Sequence, residues 1–171
     1  EWIENERMNR VVSFGGKTGT VSIRNDPAKS CVVVEIDFPD VSAIHTIISR
    51  VRVLFDLDAD PVLIANSLES DPKTAELLEK HPGVRLPSGW DPFEVAVGTI
   101  LGQLVSVDRG RTLVADLVES LGVNSGLSRS GKQIKLFPSP SAIMNGDLSF
   151  LRTTRRRKRT LVDFARAIAS G

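Results

Sequence analysis

Asp91 and Glu94, three residues apart, are the carboxylates in this sequence that invite an acid and base reading, since cleavage of a glycosidic bond usually employs such a pair. Their setting, Trp90-Asp91-Pro92-Phe93-Glu94-Val95, predicts a plainer role. Asp91 reads as a helix N-cap, Pro92 as the first helical residue and Glu94 as the partner that completes a capping box, with Trp90 and Val95 flanking it as a hydrophobic staple. Such a box contributes about 1 kcal/mol to a helix. Asp60-Pro61 and Asp71-Pro72 repeat the cap-then-proline signature, so these carboxylates also read as caps. The single cysteine, Cys31, can form no internal disulfide, and the two histidines, His45 and His81, are too few for a zinc-type cluster. Metal chemistry is therefore not expected. Cys31 reads as a small core or edge residue and His45 as a boundary or surface residue.

Two further groupings carry more promise. In Ile100-Leu101-Gly102-Gln103-Leu104-Val105-Ser106 a glycine and a glutamine interrupt an apolar run, and Ser106 with Asp108 can start the next helix, which places Leu104 at a helix-helix corner. Arg152 and the run Arg155-Arg156-Arg157-Lys158-Arg159 then lead into an apolar stripe of Leu161, Phe164, Ala165 and Ile168. Cations in a first helical turn meet the positive end of the helix dipole, which costs roughly a few tenths of a kcal/mol unless an anion compensates. A phosphate is one such anion, and each contact would steepen the salt dependence of binding. A solvated face neutralised by Asp163 or by neighbouring acids is the other reading.

The elements that must position these residues follow from periodicity. Val11–Phe14 and Thr20–Ile23, joined by the glycine-rich turn at 15–19, read as a hairpin, and Cys31–Ile36 as a third strand. Asp40 can cap a helix whose stripe is Ile44, Ile47, Ile48, Val51, Leu54 and Phe55. From Pro61 onward strand signals stop, and helices are predicted over 61–68, 72–80, 92–105 and 109–121, with shorter ones from Pro140. The helix from Phe93 is apolar almost all round, with Ala96 and Gly98 allowing close approach, so it should be central. Residues 122–135, rich in Gly, Ser and Asn, read as a mobile loop.

Composition bounds the rest. With 171 residues, 41% of them hydrophobic and 25% charged, the chain can bury a genuine core, and its net charge of +1 does not by itself announce a nucleic-acid binder. No apolar run suits a membrane span and no signal peptide opens the sequence, so a cytoplasmic setting is expected. The chain opens at Glu1 without an initiating methionine and closes at Gly171 directly after a helical segment, so both ends are expected to be cuts from something longer.

Five blocks then converge on a family. Residues 52–61 (RVLFDLDADP), 81–87 (HPGVRLP), 90–94 (WDPFE), 100–107 (ILGQLVSV) and 137–140 (FPSP) closely resemble, in order and with similar spacing, DNA-3-methyladenine glycosylase II of the helix-hairpin-helix superfamily. The resemblance covers about Val11 to Gly171. It implies an α+β protein: a partial TATA-binding-protein-like N-terminal α/β domain over residues 1–60, then over 61–171 the first half of an all-helical glycosylase domain. It implies that Leu104 is the apolar wedge inserted where a damaged nucleotide has been rotated out, with Gln103 beside it against the distorted duplex and Ser106 in the same corner. It implies double-stranded DNA with alkylated bases as partner and hydrolysis of the N-glycosidic bond of an alkylated purine, without metal or redox cofactor. The family's catalytic aspartate and its helix-hairpin-helix segment match no residue here, so no catalytic residue is assigned and the chain alone is expected to be inactive. Arg155, Arg156, Arg157 and Arg159 are candidate phosphate contacts on their own chemistry, since the family has fewer cations there.

Overall fold

A computed structural model describes all of Glu1–Gly171. The chain forms two compact units, one made of Glu1–Ile44 with Pro92–Gly171 and the other of His45–Asp91. A cut at residue 60 falls inside the second unit.

The first unit opens with an antiparallel sheet of four strands, β1 (Trp2–Glu4), β2 (Arg7–Phe14), β3 (Lys17–Asp26) and β4 (Cys31–Asp37), in chain order. Tight turns set the register. Gly15 and Gly16 both take positive φ between the paired Phe14 and Lys17, the geometry whose twist matches flanking strands. Asn5 and Glu6 do the same between Glu4 and Arg7, without a glycine. Period-two alternation then buries Gly19, Val21 and Ile23 on one face of β3. A Cβ at Gly19 would lie 2.2 Å from the Asp37 carbonyl oxygen, so only glycine fits there. Phe14 and Phe38 meet edge to face with centroids 5.9 Å apart. Cys31 lies exposed at the end of β4, opposite Asp26.

After β4, Asp40 caps a 3-10 turn at Val41–Ala43, accepting from the Ser42 N–H at 3.0 Å and its hydroxyl at 2.7 Å. The Lys17 ammonium donates to the same carboxylate at 2.8 Å. The Lys17 contact first, then the two from Ser42, hold the Asp40 carboxyl down from the ordinary 3.8 to about 2. Protonation therefore opposes folding: this contribution is complete above the ordinary value and is lost as pH falls towards about 2. Carboxyl-detected NMR titration should find the Asp40 midpoint near 2, and Lys17→Met should move it up towards 3.8. A midpoint unmoved by that substitution would contradict the contact.

The second part of this unit contains α4 (Pro92–Gly102), α5 (Val107–Leu121), α6 (Pro140–Asn145) and α7 (Arg155–Ser170). Val97 and Leu101, Leu113 and Leu117, Ile143, Leu148, Leu151, Leu161 and Ala165 form one buried cluster. Phe93 stacks on Phe164 at 5.6 Å and meets Phe137 edge to face at 6.2 Å. The helix α4 is thus central to this core, as its apolar character predicts. Gly98 faces open space, contrary to the expectation of close packing there; the close approach is between α4 and α5, where a Cβ on Gly110 would stand 3.3 Å from the Gly102 Cα.

Residues 122–135 are also not a loop. They form a hairpin of β5 (Asn124–Arg129) and β6 (Lys132–Lys135), so the region beyond Pro61 is helical except for this ribbon. Ser130 and Gly131 take positive φ at its turn. The Ser125 hydroxyl donates to the Ile134 carbonyl at 2.6 Å. Arg129 lies over the Trp2 ring at 5.1 Å and reaches Glu4 at 3.3 Å, so the ribbon is fastened to β1.

The other unit holds α1 (Ile44–Leu54) from its second residue on, followed by α2 (Pro61–Leu68) and α3 (Pro72–Lys80). Ile47, Val51 and Leu54 are buried, as the stripe requires, whereas Ile48 is exposed because it lies off the buried edge. Asp60 and Asp71 cap α2 and α3 as expected, accepting from Val62 at 2.8 Å and Lys73 at 2.9 Å. His45 and His81 are exposed. Arg85 donates to the carbonyls of Asp56 at 2.5 Å and Ala59 at 3.0 Å, fastening the segment after α3 to the end of α1.

Candidate nucleic-acid interface

The corner between α4 and α5 is built from residues that stop one helix and start another. Leu101 is anchored in the core and Gly102 ends α4. Gln103 still donates its N–H to the Thr99 carbonyl at 3.1 Å. Leu104 then turns left-handed, with φ 55°, a conformation that costs a residue with a Cβ roughly 1–2 kcal/mol. Ser106 caps α5 by accepting from the Arg109 N–H at 3.3 Å, so the chain resumes as a helix at once.

The result is a side chain with no neighbours. Leu104 has 101% of its reference surface exposed, the largest value among the exposed large apolar residues. Val107, at the start of α5, is exposed as well, and so are Gln103 and Ser106. The left-handed backbone is unfavourable for folding, and the exposed side chain it carries contributes no packing to offset that cost.

The cationic run lies on the first turns of α7, next to this corner. Thr154 caps α7, accepting from the Arg157 N–H at 3.2 Å. Arg155 and Arg156 are exposed and form no ion pair. Arg159 reaches Asp163 at 3.7 Å, and Arg166 meets the same carboxylate at 3.1 Å. Arg157 differs from its neighbours: it is half-buried, donating from Nη2 to the Gln103 carbonyl and from Nη1 to the Thr153 hydroxyl at 2.8 Å. A second strap runs the other way, from Arg109 Nη2 to the Arg152 carbonyl at 2.6 Å. Arg109 and Thr153 escaped the sequence reading, since nothing in the spacing of residues 103, 109, 153 and 157 signals that they meet.

The suspected acid and base pair is held in ion pairs. The Glu94 carboxylate receives Arg10 at 2.6 and 2.5 Å, a partner 84 residues away that no local pattern reveals. In the other unit Asp91 receives Arg50 at 3.3 Å. No group of three His, Cys, Asp or Glu side chains is placed to hold a metal ion, and no helix is long and apolar enough to cross a membrane.

This fold, a small antiparallel sheet with a helical cluster, has counterparts among solved structures. The fold matches the 3-methyladenine DNA-glycosylase from Archaeoglobus fulgidus with a TM-score of 0.77, at 21% identity, over 95% of this chain and 56% of that one. It also matches the 8-oxoguanine glycosylase/lyase of Clostridium acetobutylicum bound to double-stranded DNA, with a TM-score of 0.67 at 19% identity, over 95% and 56% of the two chains. The chain belongs to the family described as the AlkA N-terminal domain, whose model matches residues 1–91. Among relatives, a probable bifunctional transcriptional activator/DNA repair enzyme AlkA of Mycobacterium tuberculosis is 32% identical over 162 residues, 94% of this chain and 32% of that protein. DNA-3-methyladenine glycosylase 2 of Escherichia coli is 27% identical over 174 residues, 100% of this chain and 58% of that protein. The chain therefore spans about a third to less than three fifths of the curated relatives it matches.

Proposed function

We propose that this chain serves base-excision repair of alkylated DNA, in the cytoplasm, by binding double-stranded DNA and holding open a site from which an alkylated purine such as 3-methyladenine has been turned out. Leu104 is the wedge. The observation that carries this reading is its combination of full exposure with a left-handed backbone. A damaged base can be cut only outside the stack, and an apolar side chain in the vacated space offsets unstacking of a few kcal/mol. Gln103, whose side-chain amide is exposed, faces the neighbouring bases, and the Ser106 cap fixes the start of α5 behind it. Arg155 and Arg156 supply phosphate contacts, with Arg159 a weaker one because Asp163 already faces it. The reaction served is hydrolysis of the N-glycosidic bond by a monofunctional glycosylase that needs no cofactor. We assign no catalytic residue to this chain and expect it to bind without cleaving. In this division of labour residues 1–60 form the N-terminal α/β domain and 61–171 the first half of the glycosylase domain.

Fluorescence anisotropy with short duplexes tests the proposal. The chain should bind a duplex containing an abasic analogue more tightly than an intact one, with affinity falling steeply as salt rises. Equal, salt-insensitive binding of both would refute it.

A second reading is favoured by the similarity to the Mycobacterium tuberculosis protein, whose name joins transcriptional activation to DNA repair. In that case the chain is a regulatory module that holds distorted DNA. Release of free alkylated purine by a longer chain containing these residues distinguishes the enzyme from the module.

A further inference from the structure

We propose that Arg157 is a positioning residue for the wedge: its guanidinium braces the Gln103 carbonyl and so holds Leu104 in its exposed, left-handed conformation. The proposal rests on the wedge reading for its consequence in DNA, and on the geometry of the free chain for everything else.

The need for a brace is evident in the corner itself. Carbonyls in the last turn of a helix lack intrahelical donors. A left-handed residue with a Cβ persists only where its surroundings over-determine it. Gln103 and Leu104 meet both conditions, because the Gln103 carbonyl projects beyond α4 and the next residue has φ 55°. Arg157 answers the first by donating Nη2 to that carbonyl.

The guanidinium is aimed before it arrives. Its other terminal nitrogen donates to the Thr153 hydroxyl at 2.8 Å, and the Arg157 backbone N–H donates to the Thr154 hydroxyl that caps α7, at 3.2 Å. A planar fork with two donors can make both side-chain bonds at once, which a lysine ammonium on a flexible stem does not reproduce. The reciprocal strap from Arg109 to the Arg152 carbonyl at 2.6 Å fixes the segment that bears Thr153. Arg157 is therefore committed to the protein, whereas Arg155 and Arg156 beside it point to solvent without ion pairs.

The consequence is a division of roles within one cationic run. Removing Arg155 or Arg156 should weaken binding and lower the slope of log affinity against log salt by about one unit each. Removing Arg157 should leave that slope unchanged and loosen the corner.

Two measurements on the 171-residue chain test this. The heteronuclear NOE of the Leu104 amide should fall in Arg157→Gln and only partly in Arg157→Lys, while neither changes in Arg155→Gln. With 2-aminopurine placed beside an abasic analogue, the fluorescence rise per bound complex should fall by more than half in Arg157→Gln, with the salt slope retained. A salt slope lowered by about one unit in Arg157→Gln, with Leu104 still rigid, would make Arg157 a phosphate ligand and overturn the proposal. If Leu104→Ala leaves the fluorescence rise intact, the wedge reading falls by itself, and the NOE measurement still decides whether Arg157 holds the corner.

Discussion

Leu104→Ala should lower the preference of the chain for a duplex with a vacated base position by about tenfold, ~1.4 kcal/mol, while leaving its melting temperature unchanged. Both halves follow from one fact. A side chain with 101% exposure contributes no packing to the fold, so its removal creates no cavity. Alanine carries a Cβ as leucine does, so the left-handed strain at this position is the same in both, and the comparison isolates the apolar side chain. Leu104→Gly supplies the complementary result: it relieves about 1 kcal/mol of strain and should raise stability slightly, yet it should bind as poorly as alanine. A drop of several degrees in the melting temperature of Leu104→Ala would show that the residue packs after all.

The largest expected loss of stability is at the Arg10–Glu94 pair. Its side chains retain 14% and 23% of their exposure and meet at 2.5 Å, joining β2 to the first turn of α4. Truncating one partner of a buried pair costs about 3–5 kcal/mol, because the remaining charge is desolvated without compensation. Residual solvent access and the Glu1 carboxylate that Arg10 keeps at 3.2 Å reduce this, and about 2–3 kcal/mol is expected for Glu94→Ala. For a chain of this size that is a fall in melting temperature of roughly 5–10 °C, measurable by calorimetry. The double substitution Arg10→Met with Glu94→Leu should recover much of it, since apolar replacement removes both charges together. An unchanged melting temperature in Glu94→Ala would mean that the pair is solvated in solution.

The sequence was most legible where the signal is local. The caps at Asp60 and Asp71, each followed by proline, the Ser106 cap and the apolar α4 each announce themselves within a few residues, and each stands where the local pattern places it. The three strands that escaped notice, β1, β5 and β6, lack the usual marks. None of Trp2–Glu4, Asn124–Arg129 and Lys132–Lys135 is rich in β-branched residues, and the turn that pairs β1 with β2 uses Asn5-Glu6 where a glycine is usual. Their strand state is owed to neighbours: Arg129 brings Trp2 and Glu4 to the ribbon, a tertiary contact that no window of sequence contains. The same limit applied at the candidate site. Leu104 could be located at a corner from Gly102 and Ser106, but its isolation from the core was invisible, and so was the arginine from α7 that supports it.

The sheet runs β1-β2-β3-β4 in chain order, and this has a kinetic consequence. Each strand pairs with the one made just before it, so the ribbon can close through short loops as synthesis proceeds, with little entropy lost at any step. The last ladder is complete once residue 37 has emerged, long before Glu94 exists. During that interval Arg10 has the Glu1 carboxylate, at 3.2 Å, as its ion partner. Its second and less exposed carboxylate arrives with the first turn of α4, and that ion pair then registers the later helical core on the sheet.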